Sequence, residues 1–145
     1  MKMIHPLFLS FISSLIVLLS ANLLPASDSK SSAGVNCDIQ HNACKKQLSD
    51  CTITFDVNPK PVKAMKDLIF RISLSGRQPN AAPYIDLGMP GMDMGPNRVI
   101  LKHAGNGIYE GKGIIVRCPS GRRIWSAKVT VPGIGMTEFI FDVVY

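Results

Sequence analysis

The stretch Gly88-Met89-Pro90-Gly91-Met92-Asp93-Met94-Gly95 carries three methionines within six positions, between two glycines. Thioether sulfur is a soft ligand that suits Cu(I), and it needs no deprotonation before it binds. Pro90 fixes one backbone angle and Gly91 permits a tight turn, so the local chain can bring two or three sulfurs toward one point. Cys118 or His103 would complete a three- or four-ligand Cu(I) site if folding carries either to the loop. The candidate metal set is therefore Met89, Met92, Met94, Cys118 and His103, with Cu(I) as the only cofactor suggested. Two other uses of the same residues stand beside it. The methionines can cap one end of a fold as adaptable apolar filler with Asp93 shaping the turn, or they can form an apolar contact patch for a partner.

Four cysteines follow the first apolar run: Cys37, Cys44, Cys51 and Cys118. An even count in an exported chain reads first as two disulfides, and three pairings are open. Cys37-x3-His41-x2-Cys44 also has a plausible soft-metal spacing, though it lacks the doubled pair of a structural zinc site. Catalysis finds little footing. No Gly-x-Ser-x-Gly, His-Glu-x-x-His or phosphate-cradling glycine loop occurs, no Cys-x-x-Cys redox pair is present, and the candidate nucleophiles have no visible base. Asp86 and Asp93 flank the methionines without forming an acid/base pair. Gly105-Asn106-Gly107 reads as a hairpin turn rather than a nucleotide loop. A non-catalytic binding role is expected.

Composition and targeting narrow the setting. The chain has 145 residues and a formal net charge of +6. Its basic residues are scattered apart from Lys45-Lys46 and Arg122-Arg123, with no basic helix and no aromatic interleaving, which argues against nucleic acid. Residues 1–26 read as a signal peptide: Lys2, then an apolar run from Leu7 to Leu19, then Leu24-Pro25-Ala26 before a polar stretch. The competing reading is a retained N-terminal anchor, since Ile4 to Leu24 nearly reaches bilayer length. His5 falls inside this segment. Cys37 lies well beyond the apolar run, so a lipoprotein is not expected. The expected location is periplasmic or secreted, with an envelope or membrane protein as the possible partner and membrane contact only if the N-terminal segment is retained.

The elements that must position the methionines come next. Residues 27–50 read as a small-residue linker and a cysteine-bearing arm, with one helical turn near Ala43–Leu48. From Cys51 to residue 145 the pattern has period two. Ile53, Phe55 and Val57 share a face; so do Leu68, Phe70, Ile72 and Leu74; so do Trp125, Ala127, Val129 and Val131; so do Phe139, Phe141 and Val143. Tyr84–Leu87, Arg98–Lys102 and Ile108–Arg117 complete about seven strands, the last carrying Gly111 and Gly113 as signs of a bulge or a close backbone approach. Val62–Asp67 reads as a short helical turn. Short strands with turn chemistry between them predict an all-β, immunoglobulin-like β-sandwich, with a small barrel as the alternative. Trp125 and Tyr109 are expected in its core.

Met89-Pro90-x-Met92-x-Met94, Gly107-x-Tyr109 and Gly121-x3-Trp125-x3-Val129-x-Val131 together resemble the YtkA-like domain, a group related to FixH-type and other small exported sandwich domains. The resemblance spans roughly Leu68 to Val143. It implies an immunoglobulin-like sandwich outside the cytoplasm, often near copper or respiratory-oxidase biology. The sequence departs from the family at two places. Cys118 stands nearest the position where the family tends to have a methionine, and the arm from Cys37 to Cys51 lies outside the likeness.

Overall fold

A computed structural model describes residues 34–145. The expected signal segment and most of the linker lie outside the described residues. Among the described residues no helix is long and apolar enough to cross a membrane, and all regular structure is strand.

Nine strands form: β1 (Cys44–Leu48), β2 (Cys51–Asn58), β3 (Asp67–Gly76), β4 (Tyr84–Gly88), β5 (Arg98–Ile100), β6 (Lys102–Gly105), β7 (Ile108–Ile114), β8 (Ile124–Val131) and β9 (Gly135–Asp142). They make a five-stranded sheet, β1-β2-β3-β7-β6, and a four-stranded sheet, β5-β4-β8-β9. Every ladder is antiparallel. With β1 set aside, these orders are the A-B-E-D and C′-C-F-G orders of the immunoglobulin Greek key. The alternating residues named above all point between the sheets, where Phe55 stacks on Phe139 at 5.0 Å between centroids. Each large side chain sealed there contributes about 1.5–3 kcal/mol by leaving water.

Three expectations change. The segment Arg98–Lys102 is not one strand. It breaks at buried Leu101, with β5 pairing to β4 in one sheet and β6 to β7 in the other. Gly111 and Gly113 make that crossing possible by close approach rather than by a bulge. A Cβ on Gly111 would stand 2.3 Å from the Ile100 carbonyl oxygen, and one on Gly113 would stand 2.8 Å from Val99. The stretch near Ala43–Leu48 is the edge strand β1 instead of a helical turn, because the two-residue turn Ser49-Asp50 lays Lys45, Lys46 and Gln47 along β2 and tertiary pairing overrides their helix propensity. Val62–Asp67 holds no helical turn: Lys63 bridges Val144, Met65 takes a left-handed backbone (φ 59°), and Asp67 already opens β3.

The cysteine arm belongs to the sandwich. Cys37 and Cys44 form a disulfide. The Asn36 and Cys37 amides donate to the Ile140 carbonyl. The Gln40 side chain donates to the Asp142 and Val62 carbonyls and accepts from the Val62 amide. These bonds fasten the arm to β9 and to Val62 beyond the end of β2.

The connections define two ends. One holds the Met89–Met94 segment, the Ile115–Arg123 loop and the Pro59–Lys66 turn. The other holds the tight returns at Ser49-Asp50, Asn106-Gly107 and Pro132-Gly133, and is called the hairpin end below.

Candidate functional site

The methionine segment leaves β4, whose partner β8 fixes its direction by pairing Gly88 with Ser126. Met89-Pro90-Gly91-Met92 then forms a turn. The Met92 amide donates to the Met89 carbonyl at 3.1 Å, and Gly91 has φ 73°. Proline second and left-handed glycine third is the type II arrangement. Met89 and Met92 face each other as an isolated antiparallel bridge pair. Met89 is 3% exposed and Met92 37%, so one sulfur belongs to the core and the other to the surface. Both residues line a cleft of about 440 Å³ together with Asp86, Ser126, Lys128 and Glu138. The Asp86 carboxylate is held in place by a fork from Arg98, at 2.7 and 3.0 Å.

Met94 looks elsewhere. Asp93 Oδ1 accepts from the Gly95 amide at 3.0 Å, an Asx turn that redirects the chain. Met94 then lines a separate hollow of about 600 Å³ with Met65, Pro96, Asn97, Ile114 and Val116.

Cys118 lies in the loop between β7 and β8, at the same end as the methionines. It is buried, and its sulfur sits 3.0 Å from the Ser120 hydroxyl. That hydroxyl, followed by the Ser120 backbone, holds the thiol below its ordinary range, outweighing burial. The Cys118 amide donates to the Tyr145 hydroxyl, which in turn donates to the Arg122 carbonyl. Arg122 Nη2 donates to the Pro90 carbonyl at 2.8 Å and so ties this loop to the methionine turn.

His103 is not brought to this end. It sits on edge strand β6, edge-on to the Tyr109 ring at 5.0 Å, opposite Tyr109 in the ladder. Tyr109 precedes Ile114, the loop-end terminus of β7, by five positions, which is about 17 Å at roughly 3.3 Å per residue.

Two disulfides were expected among four cysteines; among the described residues there is one. Cys51 and Cys118 are both free and buried. Cys51 opens β2 at the hairpin end, opposite Gly76, and β2 alone spans eight residues, about 26 Å at 3.3 Å each, far beyond disulfide reach. Burial pushes the Cys51 thiol up. With Cys37 and Cys44 bonded to each other, the Cys37-His41-Cys44 metal set has no thiolates to offer. His41 Nδ1 instead contacts both Asp38 carboxylate oxygens at 2.9 and 3.0 Å. Among the described residues no group of three or more His, Cys, Asp or Glu gathers as a metal cage.

Two residues at this end, Arg122 and Met65, are not legible as participants in the sequence, and a third, Trp125, holds an unexpected polar feature. Arg122 stood only as one of two adjacent arginines, and its tie to Pro90 crosses 32 positions. Met65 falls in the stretch expected as a helical turn, and its placement between Lys63 and Lys66 is the sequence's hint that it faces water. Trp125 was expected in the core and is there, but its indole N–H is buried without a partner. Carrying the β4–β8 register one residue past Gly88 and Ser126 sets Trp125 opposite Met89.

The chain matches no family model, no curated protein and no solved structure. The YtkA-like resemblance rests on the short motifs quoted above.

Proposed function

We propose that this chain is an exported, non-catalytic binding domain that holds Cu(I), or hands it on, through Met89 and Met92. The observation that carries this reading is the type II turn, which sets these two methionines opposite one another at the mouth of one cleft. The turn holds two thioether side chains three residues apart, one buried and one exposed, and thioether sulfur favours Cu(I) over the hard divalent ions. The exposed Met92 would give an ion its entry path and the buried Met89 a partly dry seat. Met94 belongs to the neighbouring hollow, and His103 to another part of the sheet, so neither is a ligand in this proposal. Cys118 lies on the loop that Arg122 ties to the turn, with its sulfur held against the Ser120 hydroxyl. It becomes a third ligand only if Arg122 lets the two loops close.

The test is a Cu(I) titration of the full chain against a competing chelator, with ascorbate as reductant so that the Cys37–Cys44 bond survives. One equivalent is expected to bind. Replacing Met89 and Met92 together by leucine, which conserves volume, is expected to weaken binding by more than about tenfold. Met94→Leu is expected to leave affinity unchanged. Equal affinity in the wild type and the Met89→Leu, Met92→Leu variant would overturn the proposal.

A further inference from the structure

Met65 combines two unfavourable properties in a turn that is held in place. It is 62% exposed, it lies in the left-handed region at φ 59°, and its amide is spent on the Ile115 carbonyl, which fixes the turn in that shape. A left-handed position costs most residues free energy that glycine or asparagine avoids. Neither folding nor solubility explains a long apolar side chain there.

Its neighbours extend the pattern. Ile69 and Ile114 are exposed on the outer faces of β3 and β7, and Val116 follows just beyond β7. Asp67 opposes Ile114 and Ile69 opposes Lys112, which puts the two isoleucines on a diagonal of one ladder. Ile114 and Val116 share the Met65 hollow, while Ile69 and Ile100 share the adjoining one with Lys102 and Lys112. The result is a strip of exposed apolar side chains from the turn down the outer sheet, with Asp67 beside Ile114 and Glu110 at the lower hollow as the acidic groups along it.

Lysines border this strip. Lys63 and Lys66 flank Met65, and Lys112 and Lys102 flank the isoleucines; all four are exposed. Among the described residues none of the four is in an ion pair, whereas Arg71 and Glu110 on the same face neutralise each other. Lysine is depleted in protein–protein interfaces. Long amine-tipped chains around protruding apolar groups suit a lipid interface, where the amines reach anionic headgroups while the apolar tips enter the acyl boundary.

We propose that this strip is a docking surface for an anionic phospholipid bilayer. Met65, Ile114 and Val116 insert, and the four lysines meet the headgroups. The inference is independent of copper binding, which concerns the cleft on the other side of the methionine loop.

The test reads location, because residues 4–24 could hold the full chain on any vesicle. Hydrogen exchange of the full-length protein is followed at residues 63–66 and 115–117, with vesicles of pure phosphatidylcholine and with vesicles containing about 30% phosphatidylglycerol. Slowed exchange in these two segments on the anionic vesicles alone is expected. Lys63, Lys66, Lys102 and Lys112 changed together to glutamine should cut that protection by more than about tenfold. Met65→Ser with Ile114→Ser should also lose it, with unchanged thermal melts showing that both variants fold. Equal protection on neutral vesicles, or none on either kind, would overturn the proposal. So would protection that appears without vesicles and grows with protein concentration, since a second copy would then be the occupant.

Discussion

A Cβ placed on Gly107 would stand 2.6 Å from the Leu74 carbonyl oxygen, and one on Gly76 would stand 2.3 Å from that of Asp50. A Cβ on Gly91, Gly95 or Gly121 would meet nothing within 4 Å, although these three also have positive φ. The first two glycines close the hairpin end, where backbone rests on backbone. The other three shape the loop end, where the chain turns in open space. At Gly76 and Gly107 the identity of the residue is dictated by fit, whereas Gly105 beside the same turn has open space around it. At Gly91, Gly95 and Gly121 it is dictated only by turn geometry, which leaves the exposed Met92 side chain free to serve something other than closure.

The strongest way to break this contrast is a pair of alanine substitutions. Gly107→Ala combines left-handed strain with a backbone collision and is expected to cost about 3 kcal/mol or more. Gly91→Ala meets only the strain and is expected to cost about 1 kcal/mol. Urea unfolding at one pH measures both. Similar losses would mean that the two ends are equally constrained.

The two free thiols sharpen the comparison through pH. Ser120 lowers the Cys118 pKa at the loop end, and burial raises that of Cys51 at the hairpin end. An unfolded thiol titrates near about 8.5. A depressed native pKa means that the unfolded chain binds more protons between the two values, so the Cys118 contribution grows as pH rises through that window and is absent below it. A raised native pKa does the reverse: the Cys51 contribution is whole below about 8.5 and falls as pH rises toward the native value. Urea midpoints taken from about pH 6 to pH 10 should therefore show opposite slopes for wild type minus Cys118→Ser and wild type minus Cys51→Ser. Slopes of the same sign would mean that the loop end does not favour the thiolate.

The same division explains what the sequence disclosed. The alternating runs in β2, β3, β8 and β9 were legible because one face of each is sealed, and period two follows from that alone. The passage at Leu101 was not, since Val99 and Leu101 alternate like a single strand and only the glycines of β7 reveal that another chain lies against them. The stretch near Ala43–Leu48 reads as helical because Lys, Gln and Leu favour helix locally, while pairing with β2 is a non-local gain. Choosing among the cysteine pairings required knowing that Cys51 and Cys118 occupy opposite ends. At the candidate site Met-Pro-Gly-Met announced its turn directly. The separation of Met94 depends on the Asx turn at Asp93 and on a hollow built from β7, and the remoteness of His103 depends on sheet register. None of these is local.

The smallest expected effect is the most pointed test of the loop end itself. Asp93 holds the Gly95 amide at an exposed site, and Asp93→Ala removes one hydrogen bond worth about 0.5–1 kcal/mol. The change loosens the half of the loop that carries Met94 and leaves the Met89–Met92 bridge and the Arg122–Pro90 bond untouched. Stability should fall by that small amount, and Cu(I) affinity measured by chelator competition should stay at the wild-type value. If affinity falls with Asp93→Ala but not with Met94→Leu, the Asx turn is bracing the type II turn beside it. The loop end would then carry a structural constraint of its own, and the contrast with the hairpin end would be one of degree.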